Sequence, residues 1–257
     1  MIIPEKWIWY KDLILVLLHK ELVTRYKGSA LGFLWSLMNP LAQAGIFYIV
    51  FNVYMRFAIP NYLIVLLAAL FPWQWFSNSI ICSPNTYVLN PTLVKKVAFP
   101  RQTIPLVTNL QDMVHFCMAL PVFVVFKLSY GLYPAWSWLW GIPLLMILSL
   151  ATIYGASLFL GSINLFFKDL GNLTSILVNI LFYGTPILYT LEQVPEKYHI
   201  IIKCNPLAPI LISWRTLLYD NTFLPDYLLL AAFYASVILA LGAWVYSKLN
   251  KRFAEVM

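Results

Sequence analysis

The sequence predicts an all-α integral membrane protein with six transmembrane helices, an N-terminal amphipathic interfacial helix and short re-entrant outer helices between spans five and six. Three observations carry that prediction. Of 257 residues, 61% are apolar and only 11% charged, against about a quarter charged in an ordinary soluble domain. Mean hydropathy is +0.78, which leaves too little polar surface to cover a globule in water and excludes a disordered or disulfide-stapled chain. Six stretches, 35–55, 62–82, 104–126, 138–166, 173–190 and 227–246, reach the roughly 20 apolar residues that a bilayer core of about 30 Å requires. Residues 1–257 thus form one transmembrane domain.

Residues 1–34 precede the first span. The apolar run 13–18 is short and His19, Lys20 and Glu21 follow at once, so neither a signal peptide nor a span fits. At helical spacing Ile8, Leu15, Leu18 and Leu22 share one side, with Lys11, Asp12, Lys20 and Lys27 largely elsewhere and Trp7, Trp9 and Tyr10 at the start. That is a helix lying in the cytoplasmic interface, either a plain anchor or a contact for gating or a partner.

Six spans put both termini on one side. If that side is the cytoplasm, 12 of the 17 Lys and Arg lie inside, and five, Arg56, Lys127, Lys197, Lys203 and Arg215, lie outside. This asymmetry follows the positive-inside rule and supports cytoplasmic termini. Membrane lipid, not nucleic acid, is the partner such a charge pattern implies. Cys82, Cys117 and Cys204 have no metal-ligand spacing and read as small apolar fillers.

The inside loop 83–103 carries turn signals at Asn90-Pro91 and Phe99-Pro100. Between them, Leu93, Val94, Lys95, Lys96 and Val97 form a short amphipathic helix, suited to docking in a groove of a soluble partner or else a solvated loop. The outer segment 191–226 is too apolar at 200–202 and 207–218 for open solvent and is broken by Pro195, Pro206 and Pro209. Two short helices that dip back into the outer leaflet are expected, as a lid over a pathway or a surface cap.

Polar side chains inside the spans point to function. Asn39, Gln43, Phe47 and Tyr54 share a face of the first span, joined by Phe51; Asn172, Ser175, Asn179 and Tyr183 do so in the fifth. Trp73 and Phe76 add to an aromatic load toward the outer half of the first two spans. Such groups either bond neighbouring helices, at about 0.6 kcal/mol each, or line a wet conduit. Rings that take the C–H face of a pyranose, beside amides that bond its hydroxyls, suit a glycan. Asp112 and His115, one turn apart in the third span, are either a proton relay or a structural pair. No phosphate loop, HExxH or GxSxG elbow occurs in the sequence. An ATP-driven process therefore needs a motor on another polypeptide.

The segment Arg25-Tyr26-Lys27-Gly28-Ser29-Ala30-Leu31-Gly32-Phe33-Leu34-Trp35, followed by Asn39-Pro40-Leu41, resembles the membrane subunits of ABC exporters for O-antigen, teichoic acid and capsular polysaccharide. The likeness continues in Asn90, Leu93, Lys95, Lys96, Phe99, Pro100, Arg101 and Pro105, then in Asn164, Phe167 and Asp169, in Pro186 and Tyr189, and in Asn205-Pro206 with Arg215. Lys168 departs from the family's more usual arginine, keeping charge but not bidentate bonding.

The resemblance implies a homodimer of six-span subunits bound by two nucleotide-binding subunits, which hold the ATP and Mg; this chain itself takes no cofactor or metal. It implies that the chain sits in the bacterial inner membrane, that residues 93–97 are the coupling helix, that 191–226 is a periplasmic gate, and that the cargo is an undecaprenyl-pyrophosphate-linked polysaccharide. Arg25, Lys27 and Arg101, with Lys95 and Lys96, would attract the pyrophosphate at the cytoplasmic mouth, or simply obey the positive-inside bias. Two other classes fit less well. A membrane transferase would cluster acidic or histidine residues at one interface, and a secondary transporter would carry inverted repeats and more intramembrane charge.

Overall fold

The computed structural model describes residues 5–28, 32, 34–96 and 100–253, and regular structure among them is helical throughout. Helix α1 is Glu5–Tyr26. Helix α2, Leu34–Phe47, runs on into a π-helical stretch, Tyr48–Tyr54. Helix α3 is Tyr62–Cys82 and α4 the short Pro91–Lys96. Long helices α5, Thr103–Ser129, and α6, Ser137–Asn164, precede α7, Leu170–Gly184. Then come α8, His199–Cys204, and α9, Ala208–Arg215, which continues as a π-helical turn, Thr216–Asp220. Helix α10, Pro225–Leu249, ends in one 3-10 turn, Asn250–Arg252.

Five helical segments, those built on α2, α3, α5, α6 and α10, are long and apolar enough to cross a membrane. The expected span at 173–190 is not a single helix. Helix α7 has 15 residues, a rise of about 22 Å. It stops at Gly184 because Thr185 turns to extended backbone with Pro186 next.

The core is wrapped around α3. Every residue from 64 to 73 is buried, so the helix is apolar on all sides, as a helix enclosed by protein must be. Helices α2, α5, α6, α7 and α9 surround it. Trp75 stacks on Phe116 with ring centroids 5.4 Å apart, and Trp214 meets Phe116 edge-on at 4.9 Å. Each of these buried indoles donates its N–H, Trp75 to the Asn109 carbonyl at 3.2 Å and Trp214 to Ser149 Oγ at 2.9 Å, as an amphipathic ring needs in an apolar core.

Helices α6 and α10 pack closest of all, backbone to backbone, at Gly155 and Gly242. A Cβ on Gly155 would meet the Ile238 carbonyl at 2.6 Å, and one on Gly242 would run into the Gly155 carbonyl. Only glycines permit that approach. Helix α9 is buried along its whole length. The second short helix of the outer segment is therefore part of the core rather than a surface piece.

Candidate substrate pathway and its supports

Helix α7 has two faces. Thr174, Val178 and Phe182, four residues apart, are buried, while Asn172, Asn179 and Tyr183 stand exposed on the opposite side. Helix α2 is arranged likewise, with Pro40 and Ala44 buried and Asn39 exposed beside Trp35 and Met38. The two helices meet where Phe47 stacks on Phe182 at 5.7 Å. Gln43 is half-buried against α3, where it accepts a hydrogen bond from Gln74 at 2.6 Å, and Phe51 follows beside Phe57 at 5.3 Å. Asn172, Asn179 and Tyr183 thus share one exposed face of α7 with Ile176, and Asn39 stands exposed on α2.

Two residues of the expected lining sit elsewhere. Trp73 is 3% exposed and packs on Phe76 and Phe182 at 5.6 and 5.5 Å, so its ring belongs to the interior; Phe76 is half-buried. Tyr54 leaves the face of Phe47. The helix widens to π geometry from Tyr48, and bonds of i→i+5 turn the chain less per residue than α-helical ones. Seven residues after Phe47, Tyr54 is 75% exposed and turned away from the ring stack.

Between α2, α3 and α5 lies a cavity of about 220 Å³ lined by Ser36, Asn39, Gln74, Asn78, Asp112 and His115 as well as by aromatic rings. Asp112 accepts a hydrogen bond from Ser79 at 2.9 Å and stands 3.7 Å from His115 Nδ1. The pair continues into a buried polar seam. Ser83 and Ser157 share a hydrogen bond at 2.6 Å, and Asn109 donates to Ser157 at 3.1 Å, so α3, α5 and α6 are joined by bonds that lipid could not replace.

At the α4 end, Val94 is buried among Tyr87, Ile104, Leu158, Leu165, Tyr246 and Phe253. The helix is held to α6 and α10 by this residue. Leu93 is half-buried and faces a cavity of about 560 Å³ shared with Lys20 and Asn90. Lys95 is exposed, as are Val88 and Leu89, the latter at 75%. Outward apolar surface at this end therefore comes from the turn before the helix. Val97 and the side chains of Arg25 and Lys96 lie outside the described residues; Lys27 is exposed.

Arg101, expected to attract phosphate, is engaged inside the protein. Its Nε donates to the Val94 carbonyl at 3.2 Å and its Nη1 to the Asn250 carbonyl at 2.9 Å. Both bonds tie α4 to the end of α10.

The opposite end is closed by two buried cations. Arg215, 6% exposed, donates to the carbonyls of Tyr189 and Ile187, both at 2.8 Å, and to that of Pro186. Burial pushes its guanidinium down to about 10, opposed first by Glu192, so it stays charged at neutral pH. Burial and then Glu192 hold the Asp220 carboxyl above its usual range. Asn205 donates to Thr185 Oγ1 at 2.9 Å and to the Gly184 carbonyl. Lys127, fully buried, donates to the Leu218 carbonyl at 2.7 Å and to Asn221 Oδ1 at 2.8 Å, with the Trp138 ring 4.8 Å from its Nζ. Counted as outer-loop charges from sequence, Lys127 and Arg215 are instead internal clamps that satisfy carbonyls left open at helix ends. A basic residue at the edge of an apolar run was the available signal, and it is equally the signal of a solvated flank.

Helices of membrane-crossing length, an open amide and tyrosine face, and an intramembrane polar cavity together have the build of a membrane transport subunit. The chain belongs to the ABC-2 type transporter family, whose profile matches residues 12–219. It is 42% identical over 246 residues to an O-antigen export system permease protein RfbA of Klebsiella pneumoniae and 40% identical to a second, covering 96% of this chain and 95% of each relative. The RfbA permease of Myxococcus xanthus is 30% identical over 250 residues, with the same coverage.

Proposed function

We propose that this chain is the channel-forming permease subunit of an ATP-driven exporter that moves undecaprenyl-pyrophosphate-linked, O-antigen-like polysaccharide outward across the bacterial inner membrane. The chain works as a homodimer on two copies of a separate ATPase, which supplies ATP and Mg chemistry, and both termini face the cytoplasm. Six crossings result when α7 and the turn segment 185–190 together make the fifth. Helix α4 and the turn before it seat in the ATPase, and α8 with α9 closes the outer mouth.

One observation carries this reading. Asn39, Asn172, Asn179 and Tyr183 are exposed on two adjoining helices, where lipid would leave their polar groups unsatisfied. A second copy placed against this side encloses them in a polar, ring-lined conduit. The burial of Lys127 and Arg215 supports the orientation, because Arg56, Lys197 and Lys203 are then the exposed cations of the outer side. Of the proposed basic mouth, Lys27 and Arg25 remain candidates for the pyrophosphate, Arg101 being engaged elsewhere.

The test is complementation of a strain lacking its own O-antigen permease, with the cognate ATPase co-expressed. The expected result is a restored surface polysaccharide ladder, weakened by Asn179→Leu and Tyr183→Ala while the ATPase still co-purifies. An assembled complex that restores no ladder would refute the cargo class, and full export by the double variant would refute the α2–α7 face.

A further inference from the structure

We propose that the cavity between α2, α3 and α5 is a saccharide side-pocket of the transport path, an inference that rests on the permease reading above. It lies between three helices of membrane-crossing length: Asp112 is nine residues along α5, a rise of about 14 Å from the helix start, and Gln74 and Asn78 are eight and four residues before the end of α3. Asn39 and Asn78 are exposed toward this space and make no hydrogen bond among the described residues. At such depth an amide without a partner is tolerated only where water or a polar ligand reaches it.

The lining chemistry selects the ligand. Amides of Asn39, Gln74 and Asn78 both donate and accept, and the Asp112 carboxylate accepts from hydroxyls. Trp35, half exposed, offers a ring face, while Trp75 is fixed by its stack on Phe116. Neither Lys nor Arg is among the described lining residues, and amides, a carboxyl and aromatic rings suit the hydroxyls and C–H face of a sugar ring. A volume of about 220 Å³ has room for about seven waters at roughly 30 Å³ each, or for one sugar ring displacing them.

Substituted-cysteine labelling tests this in cells. Cys82, Cys117 and Cys204 are first changed to alanine, then Asn78→Cys, Gln74→Cys and Tyr183→Cys are made singly, with co-purification of the ATPase and a monodisperse size-exclusion peak as the sign of correct folding. A charged, water-borne thiol reagent is applied to cells that make the host's lipid-linked polymer and to cells blocked at its first sugar transfer. The proposal expects labelling at 74 or 78 in blocked cells, falling several-fold when polymer is made. Absence of labelling at both positions means a dry cavity and overturns it, as does labelling that polymer leaves unchanged. Protection at Tyr183→Cys alone overturns the side-pocket and leaves the conduit standing; loss of polymer protection at all three positions overturns both.

Discussion

Replacing Arg215 by leucine removes the clamp that joins α9 to the segment after α7. Three buried carbonyls, those of Pro186, Ile187 and Tyr189, lose their donor. An unsatisfied buried acceptor costs about 1–3 kcal/mol, and relief from burying a cation returns part of the sum, leaving a net loss of about 3–5 kcal/mol as for other broken buried charge contacts. At about 2–4 °C per kcal/mol for a chain of this size, the unfolding midpoint in detergent should fall by roughly 6–20 °C when read at one fixed scan rate. Arg215→Lys should recover only part of it, because a compact ammonium cannot fork to three acceptors. Limited proteolysis should open new cuts between residues 185 and 207 in the leucine variant, and export should fall with them. An Arg215→Leu protein that melts within about 2 °C of wild type with an unchanged cleavage pattern would refute the clamp.

Gly242→Val should prevent α6 and α10 from closing and abolish the monodisperse peak in size-exclusion chromatography, whereas Gly45→Ala, whose new Cβ meets nothing within 4 Å, should be neutral or stabilising by up to about 1 kcal/mol. Arg101→Gln loses its bonds to Val94 and Asn250, and is expected to keep ATPase binding and basal turnover while export drops, measured on the reconstituted complex. Leu89→Asp places a charge on the exposed turn before α4 and should weaken co-purification of the ATPase without moving the unfolding midpoint, since the side chain is solvent-facing. Lys127→Met leaves the Leu218 carbonyl without its side-chain donor, while Asn221 Oδ1 keeps the Trp138 N–H, and should destabilise by about 1–3 kcal/mol, read as a lowered midpoint in the same melt.

What could be read in the sequence was what lipid enforces. Apolar runs long enough to cross a bilayer mark α2, α3, α5, α6 and α10, because no other solvent tolerates them. Enclosure by protein leaves no such mark. Residues 64–73 of α3 would look the same facing lipid, so its central place, and with it the burial of Trp73, could not be read from periodicity. The widening to π geometry from Tyr48, which changes the register between Phe47 and Tyr54, leaves no mark in the sequence either. Helix α7 was drawn too long because Thr185 and Ile187 are as apolar in context as the helix they end. The residues that carried the family likeness divide in an instructive way. Arg101, Asn164, Asn205 and Arg215 are hydrogen-bond hubs at helix ends, whereas Trp35, Asn39 and Pro40 border the cavity. A charge or amide near a span end advertises that something polar must be satisfied there, not whether a carbonyl of the same chain or a passing substrate satisfies it.

The enclosure of α3 has a consequence for biogenesis. At about 5–20 residues per second, α9 leaves the ribosome roughly 6–25 seconds after α3, whose buried flank it covers. Until then lipid tails must occupy that flank, which the unbroken greasy surface of residues 64–73 allows at no penalty. The late arrival of Trp214 and Arg215 then squeezes those lipids out, so the nascent protein matures by exchanging acyl chains for its own downstream segment, and a truncation before residue 208 should leave a bundle that inserts but never closes.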